Sequence, residues 1–321
     1  MRRGNFLIIS ATILLSACNS GEKMNVSLEK RVTLPEIPSA SGIEFQDGNY
    51  WLIGDNSPWL FELNNAFELE EKHPFFPMDN IGKNGIIPKS KKHDFEAMTS
   101  LIWEGDSALF IFGSGSKTTR FNGVLVRLKN AVHKSVALHK FDLTDFYSTI
   151  LEKAKLKEGE LNIEAAAVLG DYLFLFNRGK NKLIFLKVQH FIDYLNGTKE
   201  KVKIKVKTID LPEIEGIRAG FSGASADEKF QRIVFTASVE NTADWVVDGQ
   251  VLGSFIGVLN INSLKNHAVP KCVLIANKQE ILRIKVESIS LKESSENSFH
   301  CIVVTDSDGG KSELLQLKVQ L

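Results

Sequence analysis

Three cysteines in 321 residues are too few for a disulfide framework. No apolar run reaches the ~20 residues that a bilayer-spanning helix needs. Neither sign of charge prevails, since 39 Lys+Arg face 39 Asp+Glu. That balance excludes a general nucleic-acid binder, which requires a basic excess. Proline numbers only eight, so no Pro-rich linker divides the chain. What is plentiful is phenylalanine, 21 residues within a 43% hydrophobic content. That composition belongs to a folded chain with an ample core.

The N-terminus carries an address. Met1-Arg2-Arg3 is a basic head, followed by a short apolar run from Phe6 to Leu15 and then Leu15-Ser16-Ala17-Cys18. Basic head, short apolar run and small residues before a cut form a secretory signal. The tetrapeptide ending in Cys18 resembles the bacterial lipobox, whose cysteine is lipidated and becomes the first residue after cleavage. The expectation is a signal peptide over 1–17, a lipidated tether over 18–26 and one domain over 27–321. The protein then sits in the bacterial cell envelope, held to the membrane by acyl chains worth ~0.8 kcal/mol per buried methylene.

The rest of the chain repeats. Gly42, Glu96, Glu164, Gly223 and Glu287 occupy matching places in five segments spaced 54 to 68 residues apart. After each comes an apolar run ending in small or polar residues, such as Leu109-Phe110-Ile111-Phe112-Gly113 or Ile302-Val303-Val304-Thr305-Asp306. A third strand-like run follows (60–63, 123–128, 183–188, 254–261, 314–321). The fourth alternates charged and apolar residues, most clearly over 201–207, as a strand with one wet face does. Four strands per unit, apolar inside and amphipathic outside, is the pattern of β-propeller blades. A β-sandwich shares the spacing.

The chain ends favour the ring. The fifth unit stops at Leu321 with no fourth strand, while 27–34 precede the first unit and match one. Pairing these leftovers closes the ring and removes an exposed edge. The fold class is therefore all-β, a five-bladed β-propeller closed by its N-terminal strand, or six-bladed if the long second unit hides a degenerate blade. Two helical insertions are expected, one over 143–156 capped by Thr144 and one over 189–195 ending at Asn196-Gly197. Cys272 falls on an outer strand and Cys301 on an inner one, so they should not pair.

Antiparallel order brings the starts of first strands and the ends of second strands to one mouth of the channel. Glu96, Glu164 and Glu287 converge there, with Glu44 as a further carboxylate, beside Asp55, Asn177, Arg178 and Asp306. Carboxylates gathered at an axis repel one another unless protonated or sharing a cation. An oxygen-only set suits Ca²⁺ or Mg²⁺, and nearby basic residues would suit an anionic ligand group. The alternative is that each glutamate binds backbone amides of the next blade and braces the ring. Gly113-Ser114-Gly115-Ser116-Lys117-Thr118 lacks the spacing of a phosphate loop.

The Ser-Gly-Ile and hydrophobic-Glu-Ala motifs that open successive blades resemble those of the esterase-like and phytase-like propeller proteins, and of bacterial propeller lipoproteins of Bacteroidota type. The resemblance spans roughly 30–321. It implies Ca²⁺ at the channel carboxylates, here Glu96, Glu164 and Glu287, and a metal-bound water that hydrolyses phosphoesters. Gly42 and Gly223 interrupt that ring of acids. The expected function is hence a lipid-anchored propeller, monomeric, that binds a small anionic ligand or a protein partner at its channel face. The alternative is a Ca²⁺-dependent hydrolase of phosphoesters or related esters.

Overall fold

The computed structural model describes residues 23–75, 81–82, 85–88, 90–128, 136–242, 249–277, 280–306 and 311–321. The signal over 1–17 and Cys18 lie outside the described residues. The chain begins with β1 (Asn25–Pro38). Blade 1 follows with β2 (Ala40–Gln46), β3 (Asn49–Gly54), β4 (Trp59–Leu63) and β5 (Leu69–Pro74). Blade 2 holds β6 (Phe95–Trp103), β7 (Asp106–Gly113), β8 (Asn122–Leu128) and β9 (Val136–Asp142). After α1 (Thr144–Ala154), blade 3 comprises β10 (Ile163–Leu169), β11 (Tyr172–Asn177) and β12 (Lys182–Lys187), then α2 (Val188–Leu195) and β13 (Lys205–Thr208).

A short hairpin, β14 (Glu213–Ile214) and β15 (Ile217–Arg218), leads into blade 4. That blade is β16 (Gly220–Asp227), β17 (Arg232–Asn241), β18 (Gln250–Asn260) and β19 (Lys271–Leu274). A second hairpin, β20 (Ala276–Asn277) and β21 (Glu280–Ile281), precedes blade 5 with β22 (Lys285–Ser294), β23 (Ser298–Asp306) and β24 (Lys311–Gln320). Every blade is a four-stranded antiparallel sheet, and β1 supplies the outer strand of the fifth, in the order β1-β24-β23-β22. The first strands form a closed ring, β2 to β6 to β10 to β16 to β22 and back to β2. The protein is a five-bladed β-propeller whose N-terminal strand closes the ring, as the repeat pattern anticipates. The extra length of the second unit is α1 with its connections.

Five apolar cores lie between neighbouring blades. The core between blades 2 and 3 joins Phe110, Phe112 and Leu125 to Leu173, Leu175 and Ile184. Between blades 1 and 2, Trp51, Ile53 and Leu60 meet Leu109, Ile111 and Val126. Successive residues of one second strand thus serve opposite interfaces, which is why these strands are apolar without alternation. The outer strand β1 divides in the same way, with Val26 and Leu28 packed toward blade 4 and Leu34 and Ile37 toward blade 1. Where a large ring fills an interface, the facing strand yields. A Cβ on Gly257 would stand 2.2 Å from the Phe235 ring and 2.8 Å from Cys272 Sγ.

Three local expectations need correction. Thr144 is the first helical residue of α1, not its cap; Leu143 occupies the cap position, and Asp142 Oδ1 accepts from the Thr144 N–H at 2.8 Å. The alternating run 201–207 becomes strand only from Lys205, because Val202 and Ile204 pack into the core beneath α1 and α2 before the sheet begins. The strand order of the ring starts at Asn25, two residues inside the expected tether. Cys272 and Cys301 are both free thiols.

Candidate functional site

Each first strand carries a bulge at its mouth end. The ladder register skips one residue between Ala40 and Gly42, Phe95 and Ala97, Ile163 and Ala165, Phe221 and Gly223, and Val286 and Ser288. The skipped residues are Ser41, Glu96, Glu164, Ser222 and Glu287. A bulge re-aims one side chain away from the sheet pattern, and here it does so once per blade. The sequence alignment that set Gly42 and Gly223 against the glutamates is therefore displaced by one. The equivalent residues are serines, and the ring reads Ser, Glu, Glu, Ser, Glu. Ser41 Oγ donates to Phe95 O of the next blade at 2.7 Å, while Ser222 Oγ lies 3.0 Å from Thr236 Oγ1. Ser41 thus braces two blades, while Ser222 bonds within its own.

The mouth above this ring is a cavity of about 590 Å³ with Ser41, Glu96, Glu164, Glu240 and Glu287 among its walls, so that all five blades contribute. Of the residues expected there, Glu96, Glu164, Glu287, Asp55, Arg178 and Asp306 line it. Asn177 does not. It is fully buried behind the wall, where its Oδ1 accepts from Asn162 N at 2.7 Å and its Nδ2 donates to Glu160 O and Arg178 O. An amide with both ends satisfied by backbone shapes the loop and offers nothing to a ligand.

The charges fall into two groups. On the side of blades 3 to 5, Arg178 reaches across the blade boundary. Its Nη2 pairs with Glu240, its Nη1 lies 3.6 Å from Glu164 Oε2, and its stem rests where a Cβ on Gly220 would be 2.7 Å from Cγ. Lys285 Nζ sits 2.9 Å from Glu287 and 3.6 Å from Glu240. Asn162 Nδ2 donates to Glu164 Oε1 at 2.6 Å. Burial, opposed by Arg178 but reinforced by Glu287, pushes the Glu164 carboxyl up to about 7. Burial alone would lower Arg178 and Lys285; the surrounding glutamates outweigh it and hold both above their usual ranges.

On the side of blades 1 and 2, Asp94 adopts a left-handed backbone (φ 57°) just before β6. Its carboxylate receives Arg120 Nη1 at 2.6 Å, Lys92 Nζ at 2.8 Å and Ser114 Oγ at 2.5 Å. Lys92 also pairs with Asp55. Burial favours the acid form of Asp94, but Lys92, Ser114 and Arg120 outweigh it and hold the carboxyl below its ordinary value. Burial raises Asp55 against the pull of Lys92. Glu96 goes furthest, since burial and the repulsion of Asp94 and Asp55 lift it well above the carboxylate range. Glu96 makes no hydrogen bond or ion pair among the described residues. Asp55 Oδ1 is likewise buried with no hydrogen-bond partner.

Asp55, Asp94 and Glu96 present carboxylate oxygens all within 4.8 Å of one another, close enough to share a metal ion. Glu164 and Glu287, expected to join Glu96 in that role, are instead engaged by Arg178 and Lys285. A second acid–imidazole group, Glu62, Glu71 and His73, meets the same distance criterion on the outer strands of blade 1. The site residues that sequence reasoning missed most clearly are Lys92 and Lys285. Lys285 stood two residues before an anchor, and that spacing is the one signal that points to it; Lys92 ends a long loop that carries no pattern. Farther down the channel Glu44 lies buried on β2, and burial, opposed by a backbone hydrogen bond from Ser100, raises its carboxyl to about 8. The helices support this architecture: Tyr147 Oη of α1 donates to Gly113 O at 2.5 Å, fixing the loop that carries Ser114, Ser116 and Arg120.

A closed five-bladed propeller with a charge-lined mouth is the class these features define. The chain belongs to the DUF6929 family, a family of unknown function, whose model matches residues 36–319. No curated protein sequence matches it. Among solved structures it is similar to glutaminyl cyclase of Myxococcus xanthus, at 7% identity and a TM-score of 0.49, covering 93% of this chain and 97% of that one. An exo-1,5-alpha-L-arabinanase from a bovine ruminal metagenomic library gives 11% identity and a TM-score of 0.49, covering 89% and 94%. The calcium-binding protein regucalcin from Agrobacterium tumefaciens gives 12% and 0.42, covering 92% and 95%. Likeness of this degree transfers no ligand and no activity to this chain.

Proposed function

We propose that this protein is a lipid-anchored, extracytoplasmic binder of a small polar ligand, held in the mouth of the propeller. The observation that carries the reading is the 590 Å³ cavity into which all five blades direct charged or hydroxyl side chains, a volume suited to a small molecule. Most of its charged groups are fixed by one another before any ligand arrives, and such preorganisation lowers the cost of binding. The anchor is Cys18, at the end of Leu15-Ser16-Ala17-Cys18, and the compartment is the bacterial cell envelope.

The test is a thermal-shift panel of small polar molecules on the soluble domain, repeated on Thr242→Trp, which plugs the cavity from its rim. A compound that stabilises the first protein and not the second supports the reading. A panel in which every stabilising compound acts equally on both overturns it. Mass spectrometry of the membrane fraction should find acylated Cys18, and a Cys18→Ala protein that stays equally membrane-bound would sink the anchor.

A second reading, Ca²⁺-dependent hydrolysis of phosphoesters or related esters, draws on the Asp55, Asp94 and Glu96 oxygens. These are the residues that would hold the ion, which would supply a Lewis acid and an activated water. Lys92 already places an ammonium between two of them. Calorimetric titration of the domain with Ca²⁺ decides between the two; no heat of binding removes the hydrolytic reading.

A further inference from the structure

The charges of the mouth fall unevenly. On the side of blades 1 and 2, Asp55, Asp94 and Glu96 face Lys92, Lys117 and Arg120. On the other side, Glu164, Glu240, Glu287 and Asp306 face Arg178 and Lys285. The two groups differ in how their acids are met. In the second, Glu164, Glu240 and Glu287 each lie within ion-pair distance of a cation. In the first, Glu96 has no such partner among the described residues, and the buried Asp55 Oδ1 beside it accepts no hydrogen bond. A buried oxygen such as Asp55 Oδ1 marks a missing donor.

The form of the missing donor can be read from the residues around it. Every cation that meets a carboxylate in this mouth is a nitrogen with N–H groups: two ammonium and two guanidinium groups. Lys92 Nζ stands 2.8 Å from Asp94 and also against Asp55, so the acid trio already accommodates one ammonium. A divalent ion would have to enter beside that fixed positive charge. A singly charged donor with several N–H groups would meet less repulsion and satisfy separate oxygens on Glu96 and Asp55.

We propose that the ligand of the mouth carries a primary ammonium group, which Glu96 and Asp55 receive between blades 1 and 2. The inference rests on the ligand-binding reading of the mouth and names the chemistry of one end of that ligand. An approaching ammonium favours the ionised form of the half-buried Glu96, and charge-assisted hydrogen bonds to it make Glu96 the main determinant.

The experiment titrates the soluble domain with ethanolamine, lysine and spermidine at constant ionic strength, following binding by calorimetry and thermal shift. Tetramethylammonium, which has the charge without N–H donors, and CaCl₂ are run beside them. At least one primary amine should bind, tetramethylammonium should not, and Glu96→Gln should weaken the amine by about tenfold or more, roughly 1.4 kcal/mol. Glu62→Gln, on β4 of blade 1 and outside the mouth, should leave amine affinity within about twofold of wild type. The proposal is overturned if no amine binds, if Glu96→Gln binds as well as wild type, or if Ca²⁺ binds where the amines do not. Failure of this inference differs from failure of the mouth reading. A panel compound excluded by Thr242→Trp but indifferent to Glu96→Gln leaves the cavity a binding site without an ammonium pocket. Amines that bind Thr242→Trp as well as wild type remove both.

Discussion

Arg31 and Glu313 lie 282 residues apart in the chain and face each other across the seam of the ring, with Nε 3.0 Å and Nη2 2.5 Å from the two carboxylate oxygens. The pair marks where the first strand of the chain is hydrogen-bonded to the last, from Asn25 opposite Gln320 to Pro38 opposite Lys311. Both side chains are partly solvated, at 44% and 25% exposure, so their attraction contributes under about 1 kcal/mol. The strand matters far more than the pair.

Deleting residues 24–36 should therefore destabilise the whole domain, because it opens the edge of β24 and strips Met24 and Leu34 from two cores. Arg31→Ala should shift the urea midpoint only slightly. Equal midpoints for the deletion and the full domain would contradict closure by this strand.

Arg178→Met should cost about 3–5 kcal/mol, since it leaves Glu164 and Glu240 buried without their shared cation. Adding Glu240→Gln to it should recover part of the loss, because the stranded charge is then removed. Urea denaturation of the single and double variants measures both. Additive losses would mean that the guanidinium does not act through these carboxylates.

Glu44 should make stability fall as pH rises. Its folded carboxyl titrates at about 8 against a usual value of 4.5, so between these limits the native state holds a proton that the unfolded chain has released. The penalty is absent below the unfolded value and grows up to about 4 kcal/mol near pH 8, at ~1.4 kcal/mol per unit. Glu44→Gln keeps the shape of the neutral acid. It should match wild type at pH 4.5 and exceed it at pH 8, as read from melting curves across that range.

Gly257→Ala should cost about 1–3 kcal/mol through overpacking against Phe235 and Cys272. A paired Phe235→Leu change should relieve part of it. A Gly257→Ala domain as stable as wild type would show that the packing on this face of blade 4 has slack.

Much of the ring was legible because burial on two faces leaves a plain mark. Runs such as Leu109 to Phe112 and Ile302 to Val304 serve two cores at once, and no strand with a wet face can be apolar at every position. The closing strand was legible from what the fifth unit lacked. The site was harder to see. A bulge adds one residue without changing composition, so Gly42 and Gly223 took the places of Ser41 and Ser222. Asn177 and Arg178 looked alike as polar residues after a strand, yet one turns into the loop and the other across the blade boundary. Lys92 acquires its role only when Asp55 and Asp94, from two different blades, are brought to its ammonium.

The direction of β1 also sets an orientation. Its Pro38 end meets the mouth and its Asn25 end meets Gln320, at the opposite face of the ring. A chain entering at Asn25 comes from beneath the propeller. With a lipid at Cys18, only six residues separate the acyl chains from that strand, a reach of at most roughly 25 Å when fully extended. On the proposed anchor, the bilayer would lie under the far face, and the charged opening would look away from the membrane.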